Sequence, residues 1–197
     1  MTGRKPGGLG IFKRFGRDRS GASGVEFALI APVLILIYFG LAEFCQAYMA
    51  QRRMSHSTSQ VADIVAQYQV VDADLLDDTF ALGALVMAPF PTAAPPPPPA
   101  PAAPLPAALR LRVSAVTRGT DGVARVVWSR AQGTTKRSGP VTVPDGLIAN
   151  GESIIMSEGW YDFKSTLGQV LPGTRTFNRT YWLRPRLVNE ISCTGAC

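Results

Sequence analysis

From Phe27 to Ala42 the chain runs sixteen residues without a charge, and from Phe27 to Ala50 Glu43 is the only one. As a helix, those twenty-four residues would measure roughly 36 Å, enough to cross a bilayer. A membrane helix over residues 22–50 is therefore expected. Pro32 and Gly40 are tolerated in it, because neighbouring groups can satisfy a freed backbone. A secretory signal peptide cut at Gly40-Leu41-Ala42 is the weaker reading. The apolar run is long for one, and EFCQAYMAQRRMSHSTSQVADIVAQY continues in helical composition without a break. A lipoprotein anchor at Cys45 is excluded, since AEFC lacks the small residue required before the cysteine.

The net charge of +6 in 197 residues would suggest an anionic partner if it were evenly spread. It is not: residues 1–21 hold six Lys/Arg against Asp18, net +5, and residues 22–197 hold only +1. A basic segment ahead of an apolar run keeps the N-terminus cytoplasmic. The orientation expected is N-in, C-out, a single pass with the C-terminal domain outside the cytoplasm. The CTGAC tail then either closes as a Cys193–Cys197 disulfide in that oxidising compartment or stays as two thiols.

Beyond the membrane, residues 51–88 read as an amphipathic helical region. Val61, Ile64, Val65 and Tyr68 follow helical spacing. A second helix is expected from Asp74, its N-cap, to Val86, with acids gathered where the helix dipole favours them. Asp72, Asp74, Asp77 and Asp78 lack the spacing and central glycine of a calcium loop. Residues 89–106 contain ten prolines and cannot form helix interior or sheet centre; they read as a stiff polyproline linker.

From 107 to 197 the period becomes two, which predicts an antiparallel β domain. LRLRVSAVTRG and VARVVWSR form a hairpin around Asp121-Gly122, placing Ala115 opposite Trp128 and Thr117 opposite Val126. SIIMSEGWYDF and RTFNRTYWLRPR supply two further strands, with residues 132–151 as a long connection. The fold class expected is α+β, a four-stranded antiparallel sheet with one face on a helix. Most of the strand arginines are expected to form a solvated face. A nucleic-acid role for Trp128, Trp160 and Trp182 among them is disfavoured outside the cytoplasm.

No catalytic constellation is visible. His56 is the only histidine and reads as a helix-surface residue. The serines lack a nucleophile elbow, no phosphate loop exists, and CxxxC has no partner ligands for zinc. Neither an enzyme, a cofactor nor a metal is expected.

Glu26 is the acid at the mouth of the apolar run, preceded by GASG and followed by Phe27. A carboxylate there is costly unless neutralised, and so is functional by default. The blander reading is an interfacial acid at a helix start. A short basic leader, a Gly, and a Glu-aromatic pair five and six residues later resemble the type IV pilins and their relatives of the Tad (tight adherence) system. AEFCQAYMAQRRMSHSTSQVADIVAQ, SIIMSEGWYDFKSTLG and YWLRPR with the Cys tail narrow the resemblance to the TadE-like minor pilins, or pseudopilins. The proline tract lies outside that pattern.

The resemblance implies that a prepilin peptidase removes residues 1–21 between Gly21 and Ala22. It implies that Glu26 and Phe27 dock the mature chain onto other pilin and minor pilin subunits, Glu26 pairing with a new α-amine. It further implies an inner-membrane assembly platform and the lipid bilayer as partners. The place implied is the bacterial inner membrane, with a periplasmic C-terminal domain and entry into an adhesive pilus. The alternative is an uncleaved single-pass scaffold or envelope-binding module.

Overall fold

The computed structural model describes residues 21–92, 108–195 and 197. The leader before Gly21 and most of the proline tract lie outside them. Helix α1, Ala22–Val65, runs 44 residues and carries Pro32 within it. The chain divides into two units at Ala42/Glu43. In the first, the described side chains are exposed or half-exposed, with Leu29 at 72% and Leu36 at 65%. Such a surface is unfavourable in water.

The second unit begins with the rest of α1. Here Glu43, Ala47, Ala50, Met54, Ser57, Thr58, Val61 and Val65 are buried, a stripe at three- and four-residue spacing. It differs from the stripe expected from sequence. Ile64 is only half-buried, and Tyr68 lies past the helix end and is 41% exposed. The buried positions include Ser57, Thr58 and alanines, which a search for large apolar residues passes over.

Strand β1, Val70–Asp72, leads into helix α2, Ala73–Val86. The N-cap is Asp72 rather than Asp74: its carboxylate accepts from the Leu75 amide at 2.8 Å. Asp72 still has extended backbone, the conformation a cap requires, so Asp74 falls inside the first turn. Leu76, Phe80 and Gly83 face inward. A Cβ on Gly83 would stand 2.8 Å from Val61 Cγ2, and the Ser57 hydroxyl donates to the Gly83 carbonyl at 2.7 Å. The two helices thus meet over a glycine.

Strands β2 (Leu109–Arg118), β3 (Ala124–Gln132), β4 (Ser153–Lys164) and β5 (Thr174–Leu183) form one antiparallel sheet in the order β3-β2-β4-β5. This is the α+β architecture with the four-stranded sheet expected. One face, with Leu109, Leu111, Val113, Ala115, Trp128, Ile155, Tyr161 and Phe163, packs in one core with the buried stripe of α1 and with α2. At Gly159 of β4 the strand comes close enough to α1 that a Cβ would lie 2.0 Å from Thr58 Oγ1. On the opposite face Val116, Ile154 and Met156 pack with Val143 and Ile148 of the long connection.

Three further details depart from the sequence expectation. Ala115 does oppose Trp128, but Thr117 opposes Arg125 and Val116 opposes Val126, because the register shifts after Ala115. A bulge leaves Val127 unpaired, a two-against-one step that spacing alone does not reveal. Arg112 is not solvated. It is 8% exposed and bound to Glu158, its cross-strand partner, at 2.7 Å, with Arg137 on the other carboxylate oxygen at 2.9 Å. Finally, β6, Ser192–Thr194, pairs in parallel with β1, Val71 opposite Cys193.

Candidate functional site

The residues at the expected processing and docking positions occupy the first turns of α1. The Gly21 carbonyl accepts from the Val25 amide at 3.1 Å, so Gly21 ends the lead-in and Ala22 opens the helix. Among the described residues nothing lies within 4 Å of a Cβ built on Gly21, so they make no steric demand for glycine there. Glu26 is one turn after Ala22, on the same face by i, i+4 spacing. Its side chain is exposed and has no hydrogen bond or ion pair among the described residues, and Phe27 beside it is 69% exposed.

Cys193 and Cys197 belong to the second unit and are bonded to each other, with Cα atoms 6.3 Å apart. The tail they close is anchored twice. The Trp128 indole N–H donates to the Ile191 carbonyl at 2.7 Å, and Lys136 Nζ donates to the Cys197 carbonyl at 2.6 Å. Cys45 is a free, exposed thiol. His56 is exposed on α1, and among the described residues no cluster of His, Cys, Asp and Glu could hold a metal ion.

Glu43 is a functional candidate that sequence reasoning passed over. It is fully buried, and its carboxylate accepts from three consecutive amides of the β4–β5 loop: Gln169 at 2.8 Å, Val170 at 3.1 Å and Leu171 at 2.7 Å. Successive amides converging on one anion form a nest, and it is filled here by the chain's own acid. The signal available in the sequence was a lone carboxylate closing a long uncharged run. Its donors were invisible, because they are backbone groups more than a hundred residues away.

Among the described residues, α1 is the helix long and apolar enough to cross a membrane. Neither a curated protein nor a solved structure matches the chain. A family model does: the one described as TadE-like protein matches residues 21–63, from the glycine before Ala22 to two residues short of the end of α1. Glu26, Phe27 and Glu43 all fall inside that TadE-like segment, which is consistent with a TadE-like, pilin-type protein of the Tad system.

Proposed function

We propose that the chain is a minor pilin, or pseudopilin, needed to assemble a Tad-type adhesive pilus used in surface attachment and biofilm formation, and that it is not an enzyme. In this reading it is made as a precursor in the inner membrane, single-pass, N-terminus cytoplasmic and C-terminal domain periplasmic. A prepilin peptidase cuts between Gly21 and Ala22, and Glu26 and Phe27 then engage other pilin subunits on the assembly platform. One observation carries it. An exposed acid and aromatic, without hydrogen-bond or ion-pair partners among the described residues, lie five and six residues after Gly21 in the first turns of an apolar helix, within the TadE-like segment. A carboxylate entering lipid must be neutralised, and the amine freed at Ala22 lies about 6 Å along the helix from it.

N-terminal sequencing and intact mass of the chain from its host test the reading. A protein that starts at Ala22, and a Gly21→Val variant that keeps residues 1–21, are the expected results. Because a Cβ at 21 has no described residue within 4 Å, a block in the variant would report on the peptidase. A wild-type chain retained in full in piliated cells would favour the uncleaved scaffold instead.

A further inference from the structure

Glu43 marks where α1 changes from bare to covered. Ala42, its neighbour, ends the sixteen-residue uncharged stretch that begins at Phe27, about 24 Å of helix and most of the thickness of a hydrocarbon core. The loop 165–173 is held by three amides to Glu43, the first residue of the second unit. It exposes two large apolar side chains, Leu167 at 45% and Val170 at 44%. Phe44 and Tyr48 of α1, 63% and 57% exposed, line one groove with Leu171, Arg175 and Phe177. Lys164 and Arg175, at the strand ends that bracket the loop, are exposed and make no ion pair among the described residues.

We infer that loop 165–173, with Phe44 and Tyr48, is a foot that rests in the membrane surface, Leu167 and Val170 entering the headgroup–acyl boundary and Lys164 and Arg175 binding the phosphates of anionic phospholipids. This rests on the reading of a membrane span in α1, expected from sequence over residues 22–50 and ended here at Ala42 because Glu43, Ala47 and Ala50 are buried within the second unit. Three pieces of chemistry coincide. Backbone amides cannot enter a water-poor layer unpaired, and Glu43 satisfies three in a row. Aromatic side chains belong at the interface, and cations beside an apolar patch select an anionic surface. The acid is then a clamp that holds the foot at a fixed height on the helix.

The test uses the full chain with Cys45→Ser, a fluorescent nitrobenzoxadiazole label on a single introduced cysteine, and vesicles of phosphatidylcholine and phosphatidylglycerol. A label at Leu167→Cys is expected to be quenched by lipids brominated high on the acyl chain several-fold more than one at Asp145→Cys, and to resist aqueous iodide. In the labelled chain, replacing Lys164 and Arg175 by Gln should bring lipid quenching down to its level in pure phosphatidylcholine. Equal iodide quenching at 167 and 145 would overturn the proposal, as would protection from iodide without quenching by lipid, which means a protein cover. No effect of the double Gln replacement would overturn the anionic-lipid part. A label at Leu34→Cys separates the readings. If it is quenched by deeply brominated lipid while Leu167 is not, the foot alone fails; if it is not quenched, the span fails and the foot with it.

Discussion

Glu26 and Glu43 of α1 face the same problem, a charge in or beside an apolar helix, and meet it differently. Glu43 is answered within the fold by three amides. Glu26 has no partner among the described residues, and in the proposed reading the amine freed at Ala22 supplies its counter-charge. Glu26→Gln is therefore expected to insert and be cleaved like wild type while entering pili poorly; the ratio of pilus-associated to cleaved chain measures it, and a wild-type ratio would reduce Glu26 to an interfacial residue. Glu26 was legible because its register to Gly21 is local, whereas Glu43 was legible only as an oddity. Gly159 was not legible at all, since its constraint comes from Thr58 in another element. A methyl group there would enter the space of Thr58 Oγ1, so Gly159→Ala should lower stability by about 1–3 kcal/mol. Thermal unfolding in detergent should show Thr58→Ala restoring part of the loss; no loss in the single variant would mean that α1 moves off the sheet easily.

Elements were readable where a period runs long and lost where a contact is short or distant. The four strands of the sheet announce themselves through alternation, and α1 through its apolar run. β1 and β6 span three residues each, too few for any period, and their pairing joins segments that only the finished fold brings together. The hairpin was legible up to its bulge, because a register read outward from a turn carries no notice of an extra residue. Arg112 is the arginine that leaves the solvated face, for a related reason: alternation places it on the far side of the sheet but not opposite Glu158. That pair has side chains only 10% and 8% exposed. Removing its acid leaves the Arg112 guanidinium buried without a counter-charge, while Arg137 loses its partner. Glu158→Ala should cost about 3–5 kcal/mol by the usual penalty for breaking a buried pair. The matched replacement of Arg112 by Met and Glu158 by Leu should cost much less. Denaturant unfolding of the two variants decides, and equal losses would show that packing rather than charge holds this face.

Charge is partitioned by sequence segment in the molecule as a whole: residues 54–108 hold five acids and no Lys or Arg, and residues 109–197 hold twelve Lys/Arg and six acids. Within the second unit the two sets meet. Asp77 of α2 takes both oxygens to Arg130 of β3, at 3.0 and 2.5 Å, and Asp63 of α1 pairs with Arg186 of the C-terminal segment. Hydrogen bonding from Arg130 holds the Asp77 carboxyl below its ordinary value, and hydrogen bonding from Arg125 takes Asp121 at the hairpin turn down to about 2. Depressed carboxyls stay ionised in the folded chain at a pH where the unfolded chain binds protons. Their stabilisation is therefore complete above the ordinary carboxyl value near 3.8 and is lost as pH falls through the folded values. The thermal midpoint in detergent should accordingly be flat from about pH 8 to 5 and fall below about 4. The Asp77 side chain is 53% exposed, so solvent screening keeps the pair's worth below about 1 kcal/mol at neutral pH. Asp77→Asn should then match wild type closely at pH 7 and show a shallower acid limb. An acid limb identical to wild type would mean that the helix–sheet ion pair is not formed in solution, and that apolar packing alone joins the acidic helices to the basic sheet.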